Sequence, residues 1–200
     1  MVVAIILALA AAAQSPTVAA PCGDEARILN EDLDTFDQDP QKGWRSVAAR
    51  PNCRAKAAEL MRVYREMLQM RLNSLVWHEG QVLAEMGRAT EAIALFQRAK
   101  RPNSVLGQSQ EGWNAYADAT IAFLRRDRIA LQQARKRLVA APIPTTMERL
   151  PDGSFRSGSH ASQAPNLDVV DGLIKCFDRS YLEAYGSPSC RSSSVPRGIH

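Results

Sequence analysis

The chain lacks a run of the roughly 20 consecutive apolar residues that a helix needs to cross a bilayer. The apolar run Val2 to Ala13 has twelve residues. That excludes an ordinary membrane-spanning helix and leaves no permanent span to expect. Metal-ligand spacing is also missing. The only histidines are His78, His160 and His200, and no two cysteines stand two to four residues apart. The His78-Glu79 pair lacks the second histidine that a zinc protease places one helical turn later, because Val82 stands there. No nucleophile is framed for catalysis: Ser154, Ser157 and Ser159 near His160 have neither an elbow motif nor a rigid scaffold around them. The adjacent acids Asp24-Glu25 and Glu31-Asp32 diverge on a helix and suit first-turn positions that complement its dipole. No motif implies a cofactor, and the chain reads as non-catalytic.

What is present begins with export. Val2 to Ala13 is followed by Gln14, Ser15, Pro16 and a second small-residue run ending at Ala20, so residues 1–20 read as a secretory signal with small-residue cleavage options. No basic residue stands before Arg27, a departure from the usual positive leader. Pro21 before Cys22 does not fit a lipidation signal. The four cysteines, Cys22, Cys53, Cys176 and Cys190, fit an oxidising compartment, where an even number usually pairs. Three pairings are open on paper. Cys22–Cys53 and Cys176–Cys190 are favoured because each closes a modest loop at one end of the chain. The expected location is therefore the periplasm or outside the cell.

About 180 of the 200 residues remain after removal of the signal, enough for one domain with its own core. Apolar spacing predicts a helix from Asp24 to Phe36, a short one from Gln41 to Ala49 carrying Trp44 and Val47 inward, and a strong one from Arg54 to Gln69. Asn73-Ser74 offers a cap for the next. Ala92, Phe96 and Ala99 form an i, i+4, i+7 stripe opposite Glu91, Gln97, Arg98 and Lys100. Gly80 and Ala92 remove bulk where two helix axes must approach to roughly 8–10 Å. A further pair is expected after Gln108, with Trp113, Tyr116, Ala117, Thr120, Ile121 and Leu124 on one helix and Ile129, Ala134 and Leu138 on the next, capped by Asp127. Residues 141–165 hold six Pro and Gly positions among serines and threonines, and read as an irregular loop with room for a small hairpin across Leu150 to Gly153. Asn166 can cap a last helix carrying Leu167, Val170, Leu173, Ile174 and Phe177. Residues 166–190 are thus a helix with a disulfide-tethered turn, and residues 191–200 a disordered tail.

The stretch from Trp77 to Pro102 resembles one tetratricopeptide repeat. Gly80 and Leu83 lie on its first helix, Gly87 at the turn, Ala92, Phe96 and Ala99 on the inner face of the second helix, and Pro102 just past its end. It departs from the family pattern at Glu79, where a large apolar residue usually precedes the glycine. The resemblance covers about one repeat of roughly 34 residues. It implies an all-α fold, a short array of antiparallel helical hairpins over residues 21–140, and an interaction module that binds a protein or peptide. It further implies a concave face made by the first helix of each hairpin, on which helix phase places Trp77, Gln81 and Glu85, then Asn114 and Asp118. Trp77 has a core reading of equal weight.

Charge supplies two alternatives of different standing. Arg125, Arg126, Arg128, Arg135, Lys136 and Arg137 cluster around one helix, while Asp24, Glu25, Glu31, Asp32, Asp34, Asp37 and Asp39 make the amino-terminal region acidic. In an exported protein such a basic patch meets anionic envelope polymers rather than nucleic acid. The competing readings are a solvated helix face and a charge match between the two ends of the chain. An envelope enzyme using the 145–165 loop is the remaining alternative.

Overall fold

A computed structural model describes residues 22–69, 72–102, 110–142 and 164–191, together with the strand residues 147–149 and 155–157. Its ten described helices are α1 (Glu25–Leu29), α2 (Leu33–Asp37), α3 (Gly43–Ala48), α4 (Arg54–Leu68), α5 (Asn73–Glu85), α6 (Ala89–Ala99), α7 (Glu111–Leu124), α8 (Arg128–Ala140), α9 (Leu167–Lys175) and α10 (Tyr181–Gly186). The all-α expectation holds. The exception is a small antiparallel pair, β1 (Met147–Arg149) with β2 (Phe155–Ser157), in register Met147 to Ser157. It brackets the turn expected at Leu150 to Gly153, which lies outside the described residues. None of the described helices is long and apolar enough to cross a membrane.

The helix expected over Asp24 to Phe36 is two helices. The Asp32 side chain accepts from the Thr35 amide and from its hydroxyl, capping α2, while the Asn30 amide group donates to the Ala26 carbonyl. These short polar side chains satisfy backbone groups locally and so outcompete the helical ladder. The break is used, since it leaves the Glu31 carbonyl to accept from the Tyr64 hydroxyl of α4 at 2.8 Å. Phe36 and Tyr64 stack beside it with ring centroids 3.8 Å apart.

From α3 onward each helix packs on the next, with α9 seated on α7 and α8 and α10 on α9 and α5. Left-handed residues mark three of the turns: Asn52, Gly87 and Arg126 have φ of 60°, 77° and 58°, and each stands two residues before a helix, α4, α6 and α8 respectively. Five, eight and twelve residues after each of them comes a buried side chain. These are Ala57, Leu60 and Tyr64, then Ala92, Leu95 and Ala99, then Leu131, Ala134 and Leu138. This register corrects one expectation on α8. Ile129 is 71% exposed, and Leu131 takes the inward place because the Asp127 cap, accepting from the Ala130 amide, fixes where the helix starts.

Gly80 of α5 leaves room for the Phe96 ring of α6. A Cβ there would sit 2.8 Å from Cε1 of Phe96, whose ring is fully buried. Cys22 pairs with Cys53 and Cys176 with Cys190. The first bridge ties the start of the described chain to α4, and the second closes a loop around α10. A single apolar core runs through all of these helices, from Ile28 and Phe36 to Leu173 and Tyr181.

Candidate partner-binding face

Helix α5 carries Trp77, Gln81 and Glu85 one turn apart, and the structure separates their roles. Trp77 is 4% exposed and lies between Phe96, Trp113 and Tyr116, with ring centroids 4.4, 4.8 and 4.9 Å away. It is a core side chain, because the small Gly80 lets Phe96 close on the indole from one side while α7 closes from the other. Gln81 is half-buried beside the Tyr181 hydroxyl of α10, although no hydrogen bond of ordinary geometry closes between them. Glu85 is half-buried too. Burial pushes its carboxyl upward, and Arg54, 3.2 Å away, pulls it back only in part.

Asn114 and Asp118 face elsewhere. Tyr116, two residues from each, turns inward towards Trp77, so its neighbours project from the opposite side of α7. The Asn114 side chain accepts from the Arg101 amide at 2.9 Å and donates to the Arg101 carbonyl at 2.8 Å. Asp118 pairs with Lys100 at 2.7 Å and with Arg137 at 2.9 Å. With Ala115 and Ala140 they line a shallow cleft of about 350 Å³ between α7 and α8. The five residues expected on one concave face therefore fall into a core residue, a pair under α10 and a pair in this cleft.

The first-helix face itself is crossed by α10. Tyr185 lies within electrostatic reach of Arg45 of α3, α10 packs along α5, and the Tyr181 ring lies 6.1 Å from Phe123 of α7. Tyr181 and Tyr185 stack on each other at 5.4 Å. Burial raises the Tyr181 and Tyr116 hydroxyls well above their ordinary values. Sequence reasoning missed this crossing: the i, i+4 spacing of Tyr181 and Tyr185 was a signal for one face of a helix, but not for where that face docks.

A polar cluster adjoins the face at α3. Asp37, 2% exposed, accepts from Nδ1 of His78 at 2.7 Å, from the Trp44 indole at 3.2 Å and from the Gln38 amide at 2.7 Å. Arg45 reaches the same residue, donating to its backbone carbonyl. Burial opposes ionisation of Asp37, yet the hydrogen bonds from His78, Trp44 and Ser74 outweigh it and hold the carboxyl below its ordinary 3.8. The cluster joins α2 and α3 to α5. On the other side of α5, Glu79 is buried in a close ion pair with Arg65. Burial raises its carboxyl, and Arg65, Arg98 and Arg62 counter part of the rise.

The basic residues of the α7–α8 turn are engaged within the chain to different degrees. Arg126 donates to the Phe177 carbonyl and lies over the Phe123 ring, Arg128 lies over Phe177 and pairs with Asp178, and Arg135 forms a two-pronged pair with Asp171 of α9. Arg137 holds Asp118. Arg125 and Lys136 are exposed and have no ion-pair partner among the described residues. The acidic partners come from α7, α9 and the turn after α9, not from the amino-terminal acids, whose partners lie in the first five helices, as Arg27 with Glu31, Lys56 with Glu25 and His78 with Asp37. No group of three or more metal-binding side chains occurs among the described residues. Most of the 145–165 segment lies outside them. Comparison with protein-family models, with curated proteins and with solved structures finds no match to this chain.

Proposed function

We propose that the protein is an exported, non-catalytic binding module, a short tetratricopeptide-like array that captures a protein or peptide partner in a bacterial cell envelope. The observation that carries this reading is the recurrence at positions 52, 87 and 126 of a left-handed turn, followed by buried residues at the same three offsets. On this reading α3–α4, α5–α6 and α7–α8 are three units, each of which buries its inner face only by stacking on the next. Stacked units present their first helices side by side, and such extended surfaces serve recognition. The face built by α3, α5 and α7 is therefore the partner-binding surface. Two disulfides and the lack of any spanning helix among the described residues fit an extracellular or periplasmic protein.

The test is capture from the native envelope with a cleavable crosslinker, read by mass spectrometry, for the natural protein and for an Arg125→Glu/Lys136→Glu variant. These two side chains are exposed, so their reversal leaves the packing intact. One protein partner retained by both, and retained in about 1 M salt where screening shortens to about 3 Å, supports the reading. Capture that salt and the charge reversal abolish together transfers the function to an anionic polymer.

A further inference from the structure

The chain places its own helix on the surface assigned above to the partner. We propose that α10 is a displaceable internal occupant of that surface, and that the partner it excludes is a short amphipathic helix presenting aromatic side chains one turn apart. This inference rests on the interaction-module reading and adds to it the chemistry of the partner and a barrier to its entry.

Two features of α10, its length and the match of its seat, argue that it can be displaced although Tyr181 and Ala184 are buried in the core. The helix has six residues, far below the length at which an isolated helix persists in water. It stays in place because it is held at both ends. The Cys176–Cys190 bridge encloses it, Ser180 and Glu183 form a capping box at its start, and Arg191 just beyond it pairs with Asp168. Its seat is also imperfectly matched. The Tyr181 hydroxyl is buried beside Gln81 without a hydrogen bond of ordinary geometry, and Glu85, electrostatically coupled to that ring, is a carboxyl whose ionisation burial opposes. A buried polar group without a partner carries its full desolvation cost. Displacement of α10 returns that hydroxyl to water and removes the cost.

The tether sets the threshold. Enclosure by a short loop gives α10 an effective concentration on the order of millimolar or more at its seat. A free helix of the same chemistry must outcompete that, whereas an untethered α10 can be replaced easily. The outward side of α10 carries Leu182, 40% exposed, and Glu183, so the helix is amphipathic in the sense its seat requires.

The experiment uses a fluorescent, amidated peptide of residues 177–189 as the probe, with binding to the full-length protein followed by anisotropy. The Cys176→Ser/Cys190→Ser protein is expected to bind it at least about tenfold more tightly than the disulfide-bonded protein. A peptide with Tyr181→Ala and Tyr185→Ala is expected not to bind either. Equal binding by the two proteins, or binding indifferent to the tyrosines, overturns the proposal. Should the untethered protein fail to fold, hydrogen exchange on the natural protein decides instead. Amides of α10 opening at least about a hundredfold more often than those of α7 support displacement, and equal protection overturns it. If the peptide fails while a partner is still captured from the envelope, the displacement proposal falls and the interaction reading stands; if no partner is captured, the reading itself falls.

Discussion

The pairs α5–α6 and α7–α8 share a backbone register and hold it with opposite chemistry. In the first pair the turn residue is Gly87, the close approach is made by Gly80, and Phe96, nine residues after the turn, fills the space. In the second, Arg126 takes the turn, Ala119 takes the place of Gly80, and Arg135 stands where Phe96 would. Arg135 does not enter the core; it leaves the interface and pairs with Asp171 of α9. Arg126 accepts a left-handed conformation that costs a non-glycine residue roughly 1–2 kcal/mol, and its contacts with Phe177 and Phe123 offset that cost. The turn and the three inward positions are thus what the fold demands of each pair, while the rest of the second helix is free to serve its neighbours.

The largest test of that contrast is truncation at the equivalent ninth positions. Phe96→Ala is expected to destabilise the protein by about 3–5 kcal/mol through the cavity it leaves. Arg135→Ala, which removes a pair exposed by 39% and 34%, is expected to cost less than about 1 kcal/mol. Urea unfolding of the two variants compares them directly, and similar losses would erase the distinction.

The anchoring of the two pairs should differ as well. Asp37→Ala unties α2 and α3 from α5 and leaves His78 and Trp44 without their acceptor, an expected loss of about 2–3 kcal/mol near neutral pH. The Asp37 carboxyl sits below its ordinary value when folded, so its contribution is complete above pH 3.8 and fades as the pH falls through the lower folded value. The gap between variant and natural protein should therefore close in strong acid. Glu79 runs the other way. Its folded value is raised above 4.5, so stability linked to it declines as the pH rises through that raised value. Salt should weaken the Arg135–Asp171 pair and spare the buried Asp37 cluster, as chemical unfolding at low and high ionic strength would record.

Smaller effects isolate the close approach and the turn. Gly80→Ala sets a methyl against the buried Phe96 ring and is expected to destabilise by about 1–2 kcal/mol, even though alanine favours a helix. Ala119→Gly, at the matching place in α7, should cost about 1 kcal/mol from propensity and lost packing. At the turns, Arg126→Gly should leave the protein about 1 kcal/mol more stable than Arg126→Ala, because both lose the guanidinium and only glycine accepts the left-handed backbone without strain. Thermal unfolding of that pair reads the backbone cost alone.

The parts of this fold written in local periodicity were legible. The stripe of Ala57, Leu60, Met61 and Tyr64 marked α4, the Ala92, Phe96, Ala99 stripe marked α6, Gly87 marked its turn, and the loop lengths between cysteines favoured the pairing found. Misreadings arose where one local choice competed with another. Asp32 and Asn30 could extend a helix or cap one, and they cap. Ile129 satisfied helical spacing as well as Leu131 did until the Asp127 cap fixed the phase. The face was least legible, since Tyr181 and Gln81 come together at a sequence separation of 100 and Asp37 and His78 at one of 41. No period in the chain encodes such pairings.

The claim that matters most is that a partner engages the face of α3, α5 and α7. Photo-crosslinking amino acids placed one at a time at Ser46 on α3, at Gln81 on α5, and at Arg62 on the exposed side of α4, followed by mass spectrometry of adducts formed in the native envelope, test it position by position. The account predicts adducts to one partner from positions 46 and 81 and none from position 62. Adducts from position 62 with none from the other two would contradict it.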